Sequence, residues 1–221
     1  MPAALGFDVY GTLVDPLEMN EHLRAFVGER ADRFSELWRE KQIEYSWRRS
    51  LMREYADFGV CTRQALDYTA LSLDVRLSAE DREKLIEEYQ NLRLFPDVVP
   101  GLEKLRSEGH ILAAFSNGVE QMVRTLLGGS GALDFLQAVV SVDDVRIFKP
   151  DPEVYRYLAR RLDRPMNEVW LVSSNAWDVI GAKSAGLKTA WVRRRVDAFF
   201  DPWATEPDLV VENLEQLAEK L

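Results

Sequence analysis

Six short apolar runs, amphipathic segments between them and one long helical interval predict an α/β fold. The expected architecture is a Rossmann-like, mostly parallel sheet flanked by helices, with an inserted helical cap subdomain. The first run lies in "ALGFDVYGTLVD" and ends at Asp8. The others are "ILAAF" (111–115), "AVVSV" (138–142), "EVWLV" (168–172), "KTAWV" (188–192) and "DLVVE" (208–212). Continuous apolar runs of this length read as strands buried on both faces. Segments 97–108, 118–128, 151–163 and 176–186 have helical periodicity. In "KPDPEVY", Asp151 suits an N-cap, Pro152 the first helical position and Glu153 the first turn.

One interval breaks the alternation. Residues 15–95 are almost wholly helical in pattern, with "FSELWREKQIEYSWRRSLMREYADF" and "SAEDREKLIEEYQNL" as the longest periodic pieces. We read them as the cap, and 1–14 with 96–221 as the α/β core. The return boundary is "LFPDVVPGL", with two prolines and a glycine.

Composition excludes several function classes. The chain has 221 residues, 47% hydrophobic and 29% charged, which is ordinary for a soluble globular protein. A net charge of -9 argues against nucleic-acid and anionic-membrane partners. The "RRR" at 193–195 reads as a solvated loop cluster. The single Cys61 excludes an intrachain disulfide, fits a reducing cytoplasm and reads as a small core side chain. There is no basic n-region, so no signal peptide is expected, and no stretch has the length of a membrane span.

In open parallel sheets, ligands bind beyond the carboxyl ends of the strands. Asp8, Tyr10 and Thr12 follow the first run, and Ser116, Asn117 and Gly118 the second. Lys149 follows the third; Ser173, Ser174, Asn175 and Asp178 follow the fourth. Each alone reads equally well as a turn, cap or surface residue. Together, at four successive strand ends, they point to a site.

The same residues carry a family resemblance. Asp8-x-x-Gly11-Thr12-Leu13, Ser116-Asn117-Gly118, Lys149-Pro150 and the acid of "DVIGAKSAG" resemble the haloacid dehalogenase superfamily, in order along the whole chain. "FDVYGTL", "LWREKQIEYSWRRSLM", "FSNG", "IFKPDPEVY" and "VSSNAWDVIGAKSAG" resemble its (S)-2-haloacid dehalogenases in particular. The resemblance implies a metal-independent, cofactor-free hydrolase that forms an ester on Asp8. It acts on small 2-haloalkanoates, and the family is often dimeric.

Two positions separate this reading from the phosphatases of the superfamily. Those enzymes place a second aspartate two residues after the nucleophile; here that residue is Tyr10. A phenol is a poor replacement for a carboxylic acid. They also place a Mg²⁺-binding aspartate four residues before the last acid; here that residue is Ser174. Halide leaves as an anion and needs no proton, so a missing acid suits it. A phosphatase and a non-catalytic binding protein on the same scaffold remain the two alternatives.

On this reading Asp8 attacks C2 of the substrate, and Lys149 offsets both carboxylates. Ser116 and backbone N–H groups near Tyr10 and Asn117 take the substrate carboxylate. Arg39 of the "WR" helix and Asn117 receive the halide, and Tyr10, Ile43, Phe58 and Trp177 wall the reacting carbon. Asp178 serves the ester hydrolysis with Thr12, Ser173 and Asn175, and the resemblance adds Tyr155. Arg39, Ile43 and Trp47 recur at i, i+4 and i+8 and so share one helix face.

Overall fold

A computed structural model describes residues 2–221. Its sheet has six parallel strands in the order β3-β2-β1-β4-β5-β6. They are β1 (Ala4–Phe7), β2 (Ile111–Ser116), β3 (Ala138–Ser141), β4 (Val169–Ser173), β5 (Lys188–Val192) and β6 (Leu209–Val211). All six apolar runs therefore form strands. β1 is central and buried along its whole length. β6, read as buried on both faces, is instead a short edge strand in which only Val211 is buried. The edge has one neighbour, so its other residues stay partly wet.

Register sets the site. Phe7 pairs with Ala114 on one side and Val172 on the other, and Ser116 pairs with Ser141. The carboxyl ends of β1, β2, β3 and β4 thus finish side by side. The chain moves from β1 outward to β3, then crosses back to β4 beside β1. The strand order reverses between β1 and β4, where such sheets open a crevice.

Between β1 and the helix that leads into β2, the chain forms α1 (Met19–Val27), α2 (Ala31–Met52), α3 (Phe58–Ser72) and α4 (Ala79–Tyr89). The long periodic piece that reads to Phe58 breaks at Arg53, whose φ of 59° ends α2 in a left-handed turn. Asp57 restarts the chain by accepting from the Val60 N–H at 3.0 Å. α3 packs on α2 and buries Cys61, Thr62, Ala65 and Thr69, and Trp38 Nε1 donates to the Thr62 carbonyl at 2.9 Å. Cys61 is a core residue, its thiol pushed up to about 11 by burial. α4 begins with a capping box of Ser78 and Asp81.

The sheet is flanked by α5 (Val98–Ser107), α6 (Glu120–Gly128), α7 (Pro152–Arg161), α8 (Ala176–Ala185) and α9 (Leu214–Lys220). Asp151 caps α7 as its sequence suggests, accepting from the Glu153 N–H at 2.8 Å. The sequence reading contains no counterpart of α9, which packs on α5. Gly101 permits that approach: a Cβ there would sit 2.4 Å from Leu214 Cβ.

The "RRR" reading needs one correction. Arg193 is partly exposed and Arg195 exposed, but the Arg194 side chain is only 9% exposed. It binds Asp97 and the Thr12 carbonyl. Burial lowers its guanidinium, and Asp97 opposes the shift. Asp97 and Phe95, its other neighbour, lie about a hundred residues upstream, so no local pattern announces them.

Candidate active site

The site is built around Asp8. Its backbone continues the ladder, donating to the Val172 carbonyl at 2.9 Å. The chain then bends sharply. Gly11, at φ 93°, lets its N–H reach the Val14 carbonyl at 2.8 Å. The bend swings Thr12 back so that its hydroxyl donates to Asp8 Oδ2 at 2.9 Å.

Two further donors come from the end of β4. Asn175 Nδ2 donates to the same oxygen at 2.8 Å and Ser173 Oγ at 3.3 Å. Asn175 is the N-cap of α8 but spends its side chain on Asp8 and the Tyr10 carbonyl, not on its own helix. The other Asp8 oxygen, Oδ1, faces Lys149 Nζ at 3.0 Å.

Lys149 is 1% exposed and fully engaged. Besides Asp8, its ammonium donates to the Phe115 carbonyl at 3.0 Å and to Asp178 Oδ2 at 2.8 Å. It also lies 4.2 Å over the Phe115 ring. Burial opposes its charge, but the carboxylates of Asp178 and Asp8 outweigh burial and raise it. Asp178 is wholly buried. Burial pushes its carboxyl up, Lys149 pulls against that, and the nearby Asp8 adds to it. Asp178 Oδ1 accepts from the Tyr155 hydroxyl at 2.7 Å. Tyr155 is also raised, by burial first and by Asp178 second, which keeps it a donor.

Arg39 arrives from α2. Its Nη2 donates to the Tyr10 carbonyl at 3.2 Å and its Nη1 to Gln42 Oε1 at 3.4 Å. The Tyr10 ring is buried between Phe58, 6.0 Å away, and Tyr89, stacked at 5.4 Å. Trp177 meets Trp47 edge-on at 5.5 Å, and both line an apolar cavity of about 640 Å³.

Asp8, Thr12, Lys149, Tyr155, Ser173, Asn175 and Asp178 thus form one hydrogen-bonded network. The rest of the expected set stands around it. Ser116 Oγ accepts from the Gly118 N–H at 3.0 Å and does not bond Asp8. Asn117 Oδ1 accepts from the Lys149 N–H at 3.1 Å, leaving Nδ2 as its donor end. Ile43 is half-buried on α2. Sequence reasoning missed Gln42, Tyr89 and Arg194. Gln42 is the most legible of the three, because it lies one helical turn beyond Arg39.

The donor set does not suit Mg²⁺. Ser174 Oγ donates to the Gly11 carbonyl, and both Asp8 oxygens face hydrogen-bond donors. A hard dication needs anionic oxygens left free to converge on it. The arrangement holds a buried carboxylate against a cation, with a second buried acid behind that cation.

Comparison with known proteins gives the family. The profile of the haloacid dehalogenase-like hydrolases matches residues 2–186. The chain belongs to that family. It is 36% identical over 215 residues to (S)-2-haloacid dehalogenase 2 of Pseudomonas sp. (strain CBS-3), covering 97% of this chain and 93% of that one. It is 40% identical over 189 residues to (S)-2-haloacid dehalogenase 4A of Burkholderia cepacia, covering 86% and 82%. Among solved structures it resembles L-2-haloacid dehalogenase from Xanthobacter autotrophicus with chloropropionic acid covalently bound. The TM-score is 0.92 and the identity 33%, over 99% of this chain and 98% of that one.

Tyr155 reaches Asp178 only because Gly181 has no side chain. A Cβ there would lie 2.7 Å from the Tyr155 hydroxyl oxygen and 2.6 Å from Pro150 Cβ. Gly181→Ala is expected to destabilise the fold by about 1–3 kcal/mol, as overpacking does. It is also expected to slow turnover by displacing the Tyr155 hydroxyl. Thermal unfolding and steady-state rates check both; an alanine variant with wild-type melting and turnover contradicts the packing account.

Proposed function

We propose that the protein hydrolyses (S)-2-haloalkanoic acids to (R)-2-hydroxyalkanoic acids and halide, through an ester on Asp8. The observation that carries this reading is the Asp8–Lys149 pair, 3.0 Å apart and buried, with Tyr10 where an acid catalyst would stand. The residues after β1, β2, β3 and β4 supply the α/β half of the site. Residues 15–95 form the cap that supplies Arg39.

In the first step an Asp8 oxygen attacks C2, the new C–O bond forms, and halide leaves with the carbon–halogen electron pair. Lys149 offsets the substrate carboxylate as it approaches Asp8; uncompensated, the two would repel by several kcal/mol. Ser116 and the N–H groups near Tyr10 and Asn117 hold that carboxylate. Arg39 and the Asn117 amide take the halide. Tyr10, Ile43, Phe58 and Trp177 exclude water from the carbon.

In the second step water attacks the acyl carbon of the Asp8 ester. Asp178 takes the water's proton; its carboxyl is pushed up by burial, toward the working range of a base. Tyr155 and Lys149 fix Asp178, and Lys149 stabilises the oxyanion. The acyl–oxygen bond then breaks, Asp178 passes its proton to the departing hydroxyacid oxygen, and the water's second proton is released to solvent as the Asp8 carboxylate is restored. C2 is displaced once, so its configuration inverts.

The test is (S)-2-chloropropionate with measurement of chloride. Wild-type protein is expected to release chloride equally with Mg²⁺ and with a chelator. Asp8→Asn is expected to release none; normal release by a folded, undeamidated variant overturns the ester mechanism. Asp178→Asn is expected to release about one chloride per site and then stall, since loss of a positioned base costs ~10² to 10⁴ in rate. Intact mass should show the adduct, and peptide mapping should place it in "ALGFDVYGTL". A folded Asp178→Asn protein with neither chloride nor adduct would mean that Asp178 is needed before the displacement.

A further inference from the structure

Arg194 stands where the helical insert joins the sheet. The chain leaves the sheet through residues 12–15 and returns through 93–97. These two crossings lie side by side: Val14 and Leu94 form an antiparallel bridge, and the Phe95 N–H donates to the Leu13 carbonyl at 3.0 Å.

The Arg194 guanidinium touches both crossings. Its Nε and Nη2 grip the Thr12 carbonyl at 3.1 and 2.6 Å. Its Nη1 donates to Asp97 Oδ1 at 2.6 Å, and its Cζ lies 4.2 Å from the centre of the Phe95 ring. Asp97 in turn accepts from the Leu214 N–H at 2.8 Å, which ties in α9. Thr12 is the residue whose hydroxyl holds Asp8. Its carbonyl is therefore fixed by Arg194 while its side chain fixes the carboxylate.

We propose that Arg194 is a positioning residue that locks both crossings of the insert to the sheet. It thereby fixes Thr12 against Asp8 and sets how α2 presents Arg39 to the Tyr10 carbonyl. A planar fork is needed, because one side chain must bond a carbonyl twice and a carboxylate once while its cation lies over a ring. A lysine ammonium is a point charge and cannot do all of this. The catalytic part of the proposal rests on Asp8 being the nucleophile; the structural part does not.

The experiment compares wild type, Arg194→Ala, Arg194→Lys and the surface control Arg193→Ala. Arg193 is partly exposed, and its guanidinium pairs with Glu212 at 3.3 Å on the surface. Hydrogen exchange is followed in peptides covering 9–15 and 91–98, and kcat and KM are measured with (S)-2-chloropropionate. In Arg194→Ala both peptides are expected to lose protection while β1, β2 and β4 keep theirs. Its kcat is expected to fall by about 10- to 100-fold, the scale of a misplaced reacting group, with KM changing far less. Arg194→Lys is expected to recover only part of either readout, and Arg193→Ala to match wild type.

Unchanged protection in a folded Arg194→Ala protein overturns the lock. Lost protection with wild-type kcat overturns the positioning role, and full recovery by Arg194→Lys overturns the need for the fork. If Arg194→Ala does not fold, Arg194→Gln, which keeps one donor group, carries the same comparison. Absence of chloride release from wild type would instead strike at the Asp8 reading, while the exchange data still test the lock.

Discussion

The structure depends on one ammonium group shared between two buried carboxylates. Lys149 Nζ lies 3.0 Å from Asp8 and 2.8 Å from Asp178, and none of the three residues is more than 6% exposed. Buried charge is tolerated only when it is paired and hydrogen-bonded. Removing one partner of such a set typically costs about 3–5 kcal/mol, because the charge left behind has no water to turn to. The remaining oxygens are accordingly filled by Thr12, Ser173, Asn175 and Tyr155. The fold meets this demand with four strand ends in register, so that loops remote in sequence converge on one place.

The helical insert adds what the sheet cannot. α2 carries Arg39 to the Tyr10 carbonyl, and Tyr10 itself is gripped in an aromatic stack with Tyr89, which lies against Trp38 at 5.3 Å. Tyr89 OH also donates to Gln42 Oε1 at 2.9 Å, next to Arg39. The insert is thereby held to the loop that follows Asp8 by polar and apolar contacts together. In the proposed chemistry this gives a cation for the leaving halide and dry walls for the displacement.

Apart from Tyr155, which only the resemblance supplied, the network around Asp8 was legible in the sequence because parallel topology is. Apolar runs mark the strands, and the residue after each run must lie at the ligand-binding edge. Tyr10 and Ser174 were equally legible, as residues standing where the resemblance leads one to expect acids. Arg194 was not. Its three-arginine context looks solvated, and Asp97 and Phe95 lie about a hundred residues upstream. The break at Arg53 was hidden by a periodic pattern that continues through it. The need for glycine at 181 follows only from how closely α7 approaches α8, a property of packing and not of local pattern.

The most direct measurement of the central claim is a single turnover in H₂¹⁸O, with enzyme in excess over (S)-2-chloropropionate. If Asp8 is the nucleophile, the new hydroxyl oxygen comes from its carboxylate. The product is then expected to carry ¹⁶O, and the ¹⁸O to appear in the peptide containing Asp8. Product labelled with ¹⁸O in that first turnover, with Asp8 unlabelled, would mean that water attacks C2 directly and that the Asp8–Lys149 pair is not built for covalent chemistry.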